Sequence, residues 1–199
     1  MTIKLGSLLY KSLNYLVNIL SHGQKTPLLP EPLYLLGTSF FPQVNVELII
    51  RDLSDQTIYL WRDDELGNLG WHLPGGIIRP NESIDQRINK VILNELPFLA
   101  SDQLQTNPTL LGLSEVFSKT KPSIRSHHIS LIYLCVFNIK FTYSHFGNYP
   151  PHRFTHFKYW SNYKVPDNLI SNHKRYIPLL KMPCTQLKKI YFPIITSKN

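Results

Sequence analysis

Residues 73–96 read LPGGIIRPNESIDQRINKVILNEL, and they decide the fold because they write a strand end, a tight loop and a helix in succession. Leu73 and Pro74 run into Gly75 and Gly76, a pair able to take backbone conformations closed to other residues. Ser83 offers an N-cap, and Gln86, three residues on, completes a capping box. Ile84, Ile88, Val91, Ile92 and Leu96 then fall on one helical face, and Pro97 ends the helix.

Upstream, Val44, Val46, Leu48 and Ile50 alternate with Asn45, Glu47 and Ile49, the period of a strand with at least one buried face. Arg51 to Gln56 reads as a polar turn and Thr57 to Trp61 as the returning strand, which predicts a hairpin. Asp63 to Gly70 is loop-like, and Trp71 and His72 lead back into the quoted stretch. Downstream, Leu110 to Phe117, Ile129 to Phe137 and Phe154 to Trp160 are apolar or alternating enough to be strands. No internal repeat or low-complexity tract is present.

With 199 residues, 43% hydrophobic and 17% charged, the chain suits one domain with a buried core and terminal extensions, and is too short for two full domains. The balance argues against disorder, and no apolar run reaches the roughly 18 residues of a membrane span. Leu8, Leu9, Leu13, Leu16, Val17 and Leu20 recur at helical spacing among polar residues, so an amphipathic helix is expected, followed by a Pro-rich linker. The division expected is residues 1–32 as helix and linker, 33–180 as the domain and 181–199 as a tail. Polar interruptions and the lack of a small-residue cleavage site argue against a signal peptide, so a cytoplasmic setting is expected.

A formal net charge of +8 favours anionic partners without choosing among them. Lys188-Lys189 and Lys174-Arg175 are too short to mark a nucleic-acid patch, and none is predicted. Cys135 and Cys184 lack CxxC partners and zinc-spaced histidines, so neither a disulfide framework nor structural zinc is expected.

The segment from Gly75 to Leu96 resembles the Nudix box, Gx5Ex7REUxEExGU. Gly76 and Glu82 stand at the required spacing, Lys90 takes the arginine place, Ile92 the bulky aliphatic place and Glu95 the last glutamate place. Val91, Asn94 and Pro97 depart from the pattern. Two helix carboxylates are thereby missing, as in the GDP-mannose mannosyl hydrolase branch of the superfamily, which keeps only the last. The likeness runs from about Pro42 to Tyr176. Trp71, Leu73, Pro74, Gly75 and Gly76 follow that branch's W-x-V-P-G-G, and Asn172, Arg175 and Tyr176 echo its N-S-R-x-Y.

The resemblance implies an α/β/α sandwich around a mixed sheet and a Mg2+ site, with Mn2+ as an alternative, held by the Gly75 carbonyl and Glu95. It implies Arg62 on the diphosphate leaving group, Glu47, Trp71 and Arg79 at the substrate, Gly76, Glu82 and Lys90 as structural members of the motif, and a homodimer. Arg79 stands two residues after Ile77, which replaces the branch's arginine, and Val116 replaces a histidine. His156 is the candidate base, reached by a one-residue slip from an alignment fixed on Trp160; an imidazole with a pKa near ~6.5 accepts a proton at neutral pH.

Each residue has a plainer competing role: Glu82 as an ion-pair partner of Lys90, Glu95 as a solvated helix carboxylate, Arg62 as a charged hairpin end, and His156, His72, His127 and His128 as structural histidines. At the level of the protein, the expected activity is hydrolysis of a nucleotide sugar, GDP-mannose-like, by water attack at the sugar C1. The rivals are a catalytically impaired nucleotide-binding module and an ordinary pyrophosphohydrolase of nucleoside diphosphate derivatives, since one scaffold supports different sites.

Overall fold

The computed structural model describes residues 37, 41–63, 69–99, 104, 106–117, 127–141, 157–160, 164–189 and 194–196. The helix and linker expected over residues 1–32, and the candidate base His156, lie outside the described residues.

Strand β1 (Gln43–Arg51) is the organising element. On one side it runs parallel to β6 (His127–Val136), which pairs antiparallel with β5 (Thr109–Phe117), which in turn carries β8 (Ile194–Thr196) in parallel. On the other side the expected hairpin with β2 (Thr57–Asp63) opens at once: Arg51 and Thr57 are the paired residues of β1 and β2. The segment from Leu69 supplies the missing partners, first as β3 (Leu69–His72) on β2 and then as β4 (Gly75–Ile77) on β1. The exchange of partner falls at Leu73 and Pro74. Proline has no N–H to place, and its carbonyl accepts from Leu48 N–H at 2.8 Å. β7 (Phe157–Trp160) pairs with β2.

Both faces of this mixed sheet are covered, which makes an α/β/α sandwich. Helix α1 (Ile84–Glu95) has Ser83 as N-cap and the complete capping box with Gln86. Its apolar stripe, Ile88, Val91 and Ile92, buries against Val46, Leu48, Ile50, Ile58 and Leu60. Truncating a side chain such as Ile92 there costs about 2–5 kcal/mol.

The opposite face is covered by residues 164–189, where sequence periodicity is silent because Pro166, Pro178 and Pro183 allow only a 3-10 helix (Ser171–Tyr176) and two single-turn helices, α2 (Ile177–Leu180) and α3 (Cys184–Leu187). Tyr176, Leu179, Leu180 and Leu187 are packed there with Ile49, Tyr59 and Ile132. The expected tail over 181–199 therefore includes a core residue, Leu187, and a sheet strand, β8.

The polar turn expected over Arg51 to Gln56 is corrected at its first residue. Arg51 ends β1 fully buried, its Nε donating to Thr57 Oγ1 at 3.0 Å and its Nη atoms to the carbonyls of Leu180 and Met182 at 2.7 and 2.5 Å. A buried guanidinium is tolerable because its donors meet these two carbonyls, that of Leu180 at the end of α2, and because Asp55 Oδ1 stands 3.6 Å from Nη1.

Candidate active site

The place where β2 and β4 part company along β1 gathers the candidate residues. Gly75 pairs with Glu47 across β4 and β1, and a Cβ on Gly75 would come within 2.6 Å of Glu47 Oε2. The Glu47 carboxylate lies against the Gly75 backbone, so any larger residue would displace one of them. Gly76 is packed on α1 in its turn, a Cβ there meeting Val91 Cγ2 at 3.1 Å. The two glycines thus let the strand approach a carboxylate on one side and a helix on the other.

Glu95, the last residue of α1, turns its carboxyl back to this point. Burial raises its pKa to about 8, against the pull of the Arg62 guanidinium; the nearby Glu47 charge raises it further, and a backbone hydrogen bond from Gly75 and the charge of Arg87 lower it. Its Oε2 is closed to solvent and has no hydrogen-bond partner among the described residues. Leaving a buried carboxylate oxygen unsatisfied costs about 1–3 kcal/mol or more. The plainer expectation of a solvated helix carboxylate is thereby corrected. Arg62, on β2 opposite Gly70, is half-buried and close enough to act on Glu95.

Glu82 stands at the other end of α1 and is closed on itself. Lys90 Nζ lies 2.8 Å from Oε1, while Oε2 takes Arg87 Nη2 at 2.6 Å, Arg87 Nε at 2.8 Å and the Arg79 N–H at 2.9 Å. Burial alone would raise its pKa, but these partners outweigh it and hold the carboxyl at about 2. Arg87 is the partner that sequence reasoning missed.

Glu47 itself belongs to a buried polar network on the sheet face opposite α1. Asn45 Nδ2 donates to its Oε1 at 2.6 Å, and Ser130 Oγ donates to Asn45 Oδ1 at 3.0 Å. His173, on the 3-10 helix, has Nε2 at 3.4 Å from Glu47 Oε2 and accepts the Leu73 N–H on Nδ1 at 2.9 Å. That second bond fixes the tautomer: Nδ1 is the acceptor, so the ring proton is on Nε2, toward the carboxylate. His72 Nδ1 lies 2.7 Å from the Leu73 carbonyl and donates to it. Two histidines therefore hold the two peptide groups on either side of Leu73, just before Gly75. His173 is 100 positions from Leu73 in the chain, and no local signal marks it.

Further along the same face, burial lowers the pKa of His128, with Glu47 opposing and Arg175 reinforcing the shift. Arg175 donates to the Glu115 carbonyl at 3.0 Å. Val116, where the resemblance expects a histidine, is buried opposite His128. Trp71, on β3, meets Trp61 edge-on with ring centroids 5.0 Å apart. Ile77, the last residue of β4, and Arg79, in the loop leading to Glu82, are both half-buried.

Among the described residues no group of three or more His, Cys, Asp and Glu is clustered to hold a metal unaided. Magnesium does not require one, since it is commonly bound through one or two carboxylates with substrate phosphates and waters. The unsatisfied Oε2 of Glu95 beside Gly75 fits that role.

No known family model matches the chain, and no curated protein matches it in sequence. Solved structures do match in fold. A bifunctional NMN adenylyltransferase/ADP ribose pyrophosphatase from Francisella tularensis is 20% identical over 75% of this chain and 46% of its own, with a TM-score of 0.50; the chain thus spans less than half of that protein. A possible asymmetric diadenosine tetraphosphate hydrolase from Jonesia denitrificans is 15% identical over 76% of this chain and 98% of its own, at 0.51. A MutT NUDIX hydrolase from Burkholderia pseudomallei is 19% identical over 69% and 97%, at 0.50. The α/β/α sandwich built on β1, with its strand-loop-helix from Leu69 to Glu95, has the Nudix fold.

Proposed function

We propose that the protein is a divalent-metal-dependent hydrolase of nucleoside diphosphate derivatives, acting on a nucleotide sugar of the GDP-mannose kind. The observation that carries this reading is the buried, unsatisfied Oε2 of Glu95 facing the Gly75 backbone within the field of Arg62. Such an oxygen is stabilised by a cation, and the Gly75 carbonyl is its companion ligand in our assignment. Mg2+ is the expected ion, with Mn2+ able to replace it. A bound cation neutralises charge on the diphosphate as it leaves.

The chain's own residues supply the rest. Arg62 takes the leaving diphosphate, Glu47 orients the substrate beside Gly75, and Trp71 and Arg79 flank it. His156 is the base, accepting a proton from the water that attacks the sugar C1. The motif itself supplies no carboxylate for a covalent sugar intermediate, so the sugar is expected to emerge inverted in one displacement.

Hydrolysis in isotope-labelled water tests the bond broken. Label in the free sugar, with unlabelled GDP, is the expected result. Label in a nucleotide phosphate means attack at phosphorus and replaces this reading with the ordinary pyrophosphohydrolase, the kind of activity the names of the Francisella and Jonesia proteins state for those proteins. A specific observation also favours a binding module: Ile77 and Val116 offer no polar group where the resemblance expects an arginine and a histidine. Magnesium-dependent binding without release of either product between about pH 6 and 9 selects that module.

A further inference from the structure

We infer that the cation assigned to Glu95 takes a second carboxylate ligand, Glu47, supplied by β1 where α1 has none to give; this rests on the proposed reading of the protein as a metal-dependent hydrolase. On the helix, Val91 is buried against the sheet and Asn94 is exposed. Glu82 is taken up by Lys90, Arg87 and the Arg79 N–H. Asp85, the other acid of α1, is exposed in the first turn of the 12-residue helix, roughly 15 Å from Glu95 along its axis.

The strand geometry brings Glu47 and Glu95 to one residue. Pro74 turns its carbonyl to β1, where the Leu48 N–H donates to it. Successive residues of an antiparallel pair face their neighbour alternately, so the Gly75 N–H and carbonyl turn the other way, into the gap from which β2 has withdrawn. There the N–H meets the Glu95 carboxyl. Glu47 is the register partner of Gly75 and lies against it from the face opposite α1: a Cβ on Gly75 would come within 2.6 Å of its Oε2 and 3.1 Å of its carboxyl carbon. Gly75 is thus flanked by a carboxyl from the helix and a carboxyl from the sheet.

The two groups act on each other. The Glu47 charge adds to burial in favouring the protonated form of Glu95, whose Oε2 is closed to solvent and has no hydrogen-bond partner among the described residues. Two carboxyls so placed in a dry site are stabilised by a shared proton or by a cation.

Glu47 is also held ready by its neighbours. Asn45 Nδ2, its amide fixed by Ser130 Oγ, donates to Oε1, and His173, whose Nδ1 accepts the Leu73 N–H, presents Nε2 to Oε2. An ionised carboxylate accepts at about four positions, so these contacts orient Glu47 and leave lone pairs for a cation. Magnesium is commonly held by one or two carboxylates with water and phosphate filling the remaining positions, and manganese favours the same oxygen donors. Glu95, Glu47 and the Gly75 carbonyl make such a set.

Titration of the nucleotide-free protein with Mn2+, read by electron paramagnetic resonance, tests this ligand apart from substrate, because a residue that only orients substrate leaves metal affinity unchanged when no nucleotide is present. Glu47→Gln keeps the shape of the side chain and is expected to weaken Mn2+ binding by at least the roughly 10-fold that an outer partner of a metal ligand is worth. Glu47→Asp, which keeps the charge, is expected to recover part of the loss. At saturating Mn2+ in deuterium oxide, the electron-nuclear double resonance signal of metal-bound water is expected to grow in Glu47→Gln, as water takes the place of the lost carboxylate. Unchanged Mn2+ affinity in Glu47→Gln, an unchanged water signal, or equal loss in the Gln and Asp variants overturns the inference. If Glu95→Gln abolishes Mn2+ binding while Glu47→Gln leaves it intact, the metal site stands and only the β1 ligand is removed. If the unaltered protein binds no Mn2+, the proposed function falls together with the inference. Glu47-dependent Mn2+ binding without hydrolysis of any nucleotide derivative upholds the ligand and overturns the proposed function.

Discussion

The two ends of helix α1 carry one glutamate each in opposite states. At the N-terminal side, Glu82 is ringed by Lys90, Arg87 and the Arg79 N–H, and its carboxyl is held at about 2. At the C-terminal side, burial lifts Glu95 to about 8 and its Oε2 has no hydrogen-bond partner among the described residues. A carboxylate satisfied by its own chain holds the loop to the helix. A carboxylate left unsatisfied in a dry place costs stability that, in the proposed reading, a bound cation offsets. The helix thus joins a structural anchor to the end proposed here to hold the metal, and the two need different experiments.

The largest effect is expected at Glu95. Glu95→Gln keeps the shape and removes the charge, so magnesium-dependent turnover should fall by more than about 100-fold with the fold intact; undiminished turnover at limiting magnesium would take Glu95 out of the metal site. The same variant has a signature in stability. A carboxyl whose folded pKa is raised binds its proton more tightly in the folded state, so the metal-free protein is favoured below the ordinary value of 4.5 and loses that advantage as pH rises toward about 8. Glu95→Gln should flatten this slope and raise metal-free stability above pH 8 by about 1–3 kcal/mol, measured by denaturant melts across that window.

An intermediate effect is expected at His173, which touches neither end of the helix but holds the Leu73 peptide and Glu47. His173→Ala should cost about 10- to 100-fold in manganese affinity, read by electron paramagnetic resonance, as outer-layer partners of metal sites usually do. His173→Gln, which can keep an acceptor toward Leu73, should recover part of it. Equal loss in both variants would mean that His173 serves packing alone.

The smallest effect on chemistry is expected at Glu82. Glu82→Gln should lower stability by about 2 kcal/mol, a figure reduced from that of a fully buried pair because Lys90 is half exposed and screened. Metal affinity should change less than about threefold. The sign with pH is opposite to that of Glu95: the Glu82 contribution is complete above 4.5 and is lost as pH falls toward about 2. If metal affinity collapses with unchanged melting, the comparison between the two helix ends fails.

The Ser83 cap, the stripe of Ile88, Val91 and Ile92, and the strand alternation around Glu47 are local signals, and α1 and β1 follow them closely. The opening of the β1–β2 hairpin is not local, because it depends on Leu69 to Ile77 finding two different partners. Helix spacing separates Glu82 from Glu95 but does not reveal that Arg87 joins the first and that the second has an unsatisfied oxygen. The layer over residues 164–189 was illegible for a physical reason: prolines break it into turns too short to show a period, while its role comes from long-range partners such as Arg51 and Leu73.

Arg51 also sets an order of events. Its guanidinium is enclosed by carbonyls of Leu180 and Met182, about 130 positions later in the chain. A nascent domain that has formed its first strands and α1 still holds this cation without its final acceptors, so the last layer cannot close until the ribosome has released residues beyond 182. Loop closure over such a span is slow compared with making α1. The helix end that bears Glu95 can therefore be assembled early, whereas His173 reaches Leu73 and Glu47 only when the arginine is capped. Completion of the pocket is in this way timed by the same contact that seals the core.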